Sequence, residues 1–145
     1  MGYVDGREPS DVPPYTSAGF LVDEATPAQR RRLVESGLDV LARIHRVDWR
    51  TADVDWLVLQ ERTPGLHWQL DLYTQCIQQE LRGRTHPILE RGLEWLEAHF
   101  PGEGDLAISW GDARVGNMIF AGYECAAVTD WGAVALGPPE LDLGW

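Results

Sequence analysis

Trp110-Gly111-Asp112-Ala113-Arg114-Val115-Gly116-Asn117, followed by Val128-Thr129-Asp130-Trp131-Gly132, is the stretch on which the fold turns. Between the two segments lie the apolar runs Met118-Ile119-Phe120 and Ala126-Ala127-Val128. With a turn at Ala121-Gly122 they read as an antiparallel hairpin. A hairpin brings the residue before its first strand close to the residue after its second, here Asn117 and Asp130. An amide oxygen beside a carboxylate makes a hard, oxygen-rich site suited to Mg²⁺. Asp112, on the loop leading in, adds a further carboxylate. Phosphoryl transfer needs that set: metal to neutralise polyphosphate, and a base to orient the attacking hydroxyl. Asn117 is the chain's one asparagine.

Upstream, Leu106 to Trp110 is a short strand-like run, and before it the pattern is helical. Thr26 as N-cap and Pro27 at the first helical position open a helix expected over about 27–47, with Leu33, Val34, Leu38, Leu41, Ile44 and His45 on one stripe. A second helix is expected over 68–82, with Leu72, Tyr73, Cys76, Ile77 and Leu81 on one side. A third is expected over 87–100, with Ile88, Leu89, Gly92, Leu93, Leu96 and Phe100 inward, closed by Pro101-Gly102. Residues 1–25 read as a connector with turns, 26–145 as one mainly helical unit with the loop and hairpin at 106–132, and 139–145 as the start of a further helix. The fold class is α+β.

The bulk composition narrows the function. A length of 145 residues with 44% hydrophobic content suits one globular core. No apolar run approaches the about 20 residues that span a bilayer. The net charge of −11 makes nucleic acid and anionic membrane poor partners and favours a cationic one. Two separated thiols, Cys76 and Cys125, fit a reducing cytoplasm. All 12 basic residues are Arg, so no lysine-dependent chemistry is completed within these residues.

Asp112-x-Arg114-x-x-Asn117 followed by Asp130 resembles the catalytic loop and metal-binding aspartate of the kinase superfamily. The letters Gly-Asp-x-Arg-x-Gly-Asn and Asp-Trp resemble its aminoglycoside phosphotransferase branch. Leu41-Ala-Arg-Ile-His45 with Asp48 is similar to a motif in the first long helix of that branch's C-terminal lobe, and Met1 to Gly6 resembles the hinge between lobes. The resemblance implies a protein-kinase-like C-terminal lobe and transfer of the γ-phosphoryl of ATP or GTP to a small-molecule hydroxyl. It implies Asp112 as base, Arg114 offsetting charge on the phosphoryl group, and Asn117 and Asp130 as Mg²⁺ ligands. Met1 and Tyr3 would line the adenine pocket. Asp142 would brace the catalytic loop through backbone hydrogen bonds. His45, by its place on the helix stripe, reads as a satisfied helix-face histidine in structural support, hydrogen-bonded to the catalytic loop, rather than as a catalytic one.

The sequence departs from the family pattern in three places. Trp110 stands where many relatives carry His, so the loop is expected to be buttressed differently. Gly132 stands where close relatives often carry Glu. The Gly-rich loop, strand lysine and helix glutamate of the N-terminal lobe have no counterpart. The chain is therefore expected to be an incomplete portion of a longer enzyme, with little turnover alone.

Plainer readings compete. Asp112 or Asp130 taken singly is an ordinary turn residue; together with Asn117 and a hairpin between them, the chemical reading outweighs that. For Arg114, simple pairing with a nearby carboxylate reads equally well. His67, His86 and His99 lack ligand spacing, the seven tryptophans read as packing, and Arg30-Arg31-Arg32 reads as a solvated helix face. Two other classes stay open: a non-catalytic kinase-like module that binds a ligand or partner, and an unrelated α+β fold that matches by chance.

Overall fold

The computed structural model describes residues 2–58 and 63–144. A turn-rich connector leads into a single helical turn, α1 (Phe20–Asp23), and then the long α2 (Pro27–His45). The start of α2 is fixed chemically. Thr26 Oγ1 accepts from the Gln29 amide at 3.3 Å, and Gln29 Oε1 accepts from the Thr26 amide at 2.8 Å. This is a reciprocal capping box, with Pro27 set for helix at the first position.

Next come α3 (Leu66–Leu81) and α4 (Pro87–Ala98), then β1 (Ala107–Ser109), β2 (Met118–Ala121), β3 (Glu124–Val128), β4 (Ala135–Gly137) and the single turn α5 (Glu140–Leu143). The strands form two antiparallel pairs, β1 with β4 and β2 with β3. Met118 pairs with Val128 and Ala121 with Glu124, with a register shift between Ile119 and Phe120. The hairpin turn is therefore Gly122-Tyr123, one residue later than the sequence pattern indicated. The backbone of Arg7 exchanges two hydrogen bonds with Phe120, each 2.9 Å, so the connector extends the hairpin on its β2 side.

α2 packs on the hairpin. Leu33, Ser36, Gly37 and Leu41 are its buried residues. A Cβ at Gly37 would come within 2.9 Å of Met118 Sδ, so glycine permits the close approach. Ser36 Oγ accepts from the Cys125 amide at 2.7 Å, next to the bulge. Phe20, Leu21, Leu33, Leu41, Trp110, Met118 and Phe120 form the core.

The structure differs from expectation along α3 and α4. Gln69 is the one buried residue of α3 and α4 has none. Ile88, expected inward, is 76% exposed, and Leu72, Tyr73 and Leu96 are exposed as well. Ile77 and Leu81 of α3 and Leu89 and Leu93 of α4 line a shared cavity between the two helices. Glu103 ties the start of α3 down, accepting from the Leu66 and His67 amides at 2.6 and 3.1 Å. The last expected helix is shorter than the pattern, ending at Leu143 with Gly144 as its cap. Among the described residues no helix is long and apolar enough to cross a membrane.

The two thiols differ in a measurable way. Cys76 is exposed, whereas Cys125 is half-buried and burial pushes its pKa up. Less thiolate at a given pH means slower alkylation. Maleimide at pH 7–8 is expected to label Cys76 well before Cys125, read by intact mass; labelling of Cys125 first would contradict this.

Candidate active site

The loop before β2 is built from its buried end outward. β1 delivers Ser109 and Trp110, both nearly or fully buried. Gly111 has φ +86, and a Cβ there would collide with the Ala133 carbonyl, so only glycine fits. This turn is tied to α5 through the buried carboxylate of Asp142. Asp142 Oδ1 accepts from Ser109 Oγ at 2.9 Å and the Gly111 amide at 2.7 Å. Its Oδ2 accepts from the Trp110 amide at 2.8 Å and lies 2.8 Å from His45 Nε2, on the last turn of α2. His45 therefore bonds Asp142, the residue whose carboxylate holds the loop.

Asp112 follows, with its side chain largely covered. Asn117 Nδ2 donates to Asp112 Oδ2 at 2.6 Å and to the Asp112 carbonyl at 3.1 Å. Both partners are acceptors, so the amide nitrogen must face them and Asn117 Oδ1 must point away. Arg114 Nε lies 3.2 and 3.3 Å from the two Asp112 oxygens, and Arg114 Nη1 lies 2.6 Å from Asp11 Oδ2. Of the two readings kept for Arg114, the pairing with carboxylates is what the geometry displays. Those partners, Asp11 first, hold the Arg114 guanidinium pKa above its ordinary value.

A 3₁₀ turn at Val115–Asn117 leads into β2. The Asn117 carbonyl accepts from the Thr129 amide at 2.8 Å and from Thr129 Oγ1 at 3.1 Å, which continues the ladder one step beyond Met118–Val128. Asp130 comes next, exposed, in the left-handed region at φ 55, a conformation Asp tolerates better than most residues. The ladder thus places Asn117 opposite Thr129, with Asp130 the next residue along the chain. Trp110 joins the two halves: its indole N–H donates to the carbonyls of Thr129 at 2.9 Å and Asp130 at 3.2 Å. That is how this loop is buttressed. Trp131 packs on it at 6.0 Å between ring centroids.

Tyr3 is 90% exposed on the segment leading to the Arg7–Phe120 bridge, and Met1 lies outside the described residues. Ser109, Thr129 and Asp11 hold the site together without having been singled out in the sequence. Ser109 and Thr129 flank the motif and were readable as short polar side chains beside it. Asp11 carries no local signal, being 103 residues from its partner. Among the described residues no group of three His, Cys, Asp or Glu side chains is placed to hold a metal.

A short α+β assembly that threads a catalytic-type loop into a hairpin is the class of structure found here, and relatives place it more closely. The chain belongs to the phosphotransferase enzyme family, whose model matches residues 1–145. It superposes on the crystal structure of a "putative aminoglycoside phosphotransferase" from Ralstonia eutropha JMP134 with a TM-score of 0.74 and 26% identity, covering 99% of this chain and 42% of that one. An unrelated fold is thereby ruled out. The mouse (Mus musculus) acyl-CoA dehydrogenase family member 10 is 28% identical over 121 residues, 82% of this chain and 11% of that protein. The chain thus spans less than half of either relative.

Proposed function

We propose that this chain forms the catalytic-loop portion of a kinase-like C-terminal lobe. In the complete protein it would transfer the γ-phosphoryl of ATP or GTP to a hydroxyl of a small molecule. The observation that carries this reading is the Asn117–Asp112 hydrogen bond on a loop that runs directly into the hairpin, where Asn117 pairs with Thr129, the residue before Asp130. Asp112 takes the hydroxyl proton as the new O–P bond forms and the bond to the nucleoside diphosphate breaks. Arg114, beside Asp112, offsets negative charge at the phosphoryl group. Asp142 and His45 position the loop.

The donor set fits Mg²⁺, which takes few protein ligands and completes its shell with phosphate oxygens and water. Asn117 Oδ1 and Asp130 would hold it, and when bound it would neutralise the polyphosphate. The net charge of −11 favours a cationic acceptor.

Calorimetric titration of the complete protein with ATP, with and without Mg²⁺, tests the ligand pair. Asp130→Ala and Asn117→Ala are expected to weaken Mg²⁺-dependent nucleotide binding by roughly tenfold or more, with little change in Mg²⁺-free binding. Unchanged Mg²⁺ dependence in both variants would remove them as ligands.

A further inference from the structure

One contact links the connector to the proposed catalytic loop across almost the whole chain. Arg114 Nη1 meets Asp11 Oδ2 at 2.6 Å, while Nε of the same guanidinium faces the Asp112 carboxylate. A planar guanidinium presents its donors in a fixed fork. A carboxylate gripping one branch therefore sets where the other branch points.

Three further features indicate that the contact is built rather than incidental. A Cβ at Gly116 would sit 2.5 Å from Arg114 Nη1 and 3.0 Å from Asp11 Oδ1, so glycine there lets the pair lie against the backbone, and a side chain would displace its ends. Pro9 is fully buried and anchors the segment. Ser10 Oγ accepts from the Val12 amide at 3.1 Å, closing a small turn around Asp11.

We propose that Asp11 is a positioning residue of the site, holding Arg114 by its outer branch so that its inner branch orients the Asp112 carboxylate. The proposal rests on the phosphotransferase reading above for its catalytic consequence, while the positioning itself has a separate readout. It makes the connector part of the site: residues before α1 would set the geometry of a loop that begins at Gly111.

The test uses the complete protein with Asp11→Ala, Asp11→Glu, Arg114→Ala and the Asp11→Ala/Arg114→Ala double variant. The probe is MgATP, with γ-phosphate release as the readout. Asp11→Ala is expected to lower kcat by roughly tenfold, the scale of a modest misplacement, with KM for MgATP nearly unchanged. Asp11→Glu should recover most of the loss. On the Arg114→Ala background the same change should do little more, since coupled residues are non-additive.

In parallel, hydrogen exchange of the backbone amides at 111–117 should rise by roughly threefold or more in Asp11→Ala and fall back in Asp11→Glu. Full kcat in Asp11→Ala, or an equal loss on both backgrounds, would overturn the role through Arg114. Unchanged exchange would overturn the positioning whatever the turnover. If Asp112→Ala and Arg114→Ala both leave phosphate release intact while exchange responds as expected, the phosphotransferase reading fails and the positioning stands.

Discussion

Asp142→Ala is expected to destabilise the protein by about 3–5 kcal/mol, the range found when one partner of a buried ionic network is removed. It would be measured as a fall in the urea midpoint at an unchanged m-value. The carboxylate is buried and collects Ser109 Oγ, two consecutive backbone amides and His45 Nε2. Alanine would leave these donors without their acceptor in a site that water does not readily enter. Each such loss costs about 1–3 kcal/mol, and the sum is less than additive because the groups share one network.

Asp142→Asn is the sharper comparison. It keeps the volume but turns one oxygen into a donor facing donors, so it too should destabilise. Ser109→Ala removes one donor that the carboxylate can spare and should cost far less. If Asp142→Ala shifts the midpoint by no more than Ser109→Ala, Asp142 is not the tie between α5 and the loop.

The legible and illegible parts of this molecule divide along a physical line. α2 was readable because its start is written locally, in Thr26, Pro27 and Gln29, but of its expected stripe Leu33 and Leu41 are buried whereas Val34 and Leu38 are exposed. The hairpin was readable because two apolar runs flank a glycine. Its turn was misplaced by one residue because the register depends on a bulge at Ile119/Phe120, which the strand's own pattern does not encode. β4 was missed: Ala135-Leu136-Gly137 is three residues long, and it exists as a strand because β1 pairs with it. The inward faces of α3 and α4 were over-read. An amphipathic stripe shows which side prefers burial, and here Ile88 and Leu96 remain exposed.

The site divides in the same way. Asp112 and Asn117 lie within one loop, so their spacing in sequence translates into a direct contact, and Asp130 follows the residue that pairs with Asn117. The Asp142 network and the Asp11–Arg114 pair close over 31 to 103 residues. Nothing in the neighbourhood of Asp11 distinguishes it from a turn residue.

Asp112→Ala in the complete protein is expected to reduce kcat for nucleotide-dependent phosphorylation by roughly 10²–10⁴, the usual contribution of a positioned general base. Nucleotide binding should change little, because the proposed metal ligands Asn117 and Asp130 remain. The structure adds a qualification to that contrast. Asn117 Nδ2 donates to the Asp112 side chain at 2.6 Å and also to its carbonyl at 3.1 Å. The alanine variant loses the first bond and keeps the second, so Asn117 should stay in place and the loss should fall on kcat rather than on Mg²⁺ dependence. Asp112→Asn retains a side-chain oxygen able to accept from Asn117 but no longer takes a proton. It should be nearly as slow as alanine while holding the loop better, seen as a smaller rise in hydrogen exchange over 111–117. Equal activity of Asp112→Asn and the unsubstituted protein would show that the carboxylate's proton affinity is not used, and Asp112 would then be a structural partner of Asn117 and Arg114 rather than a base.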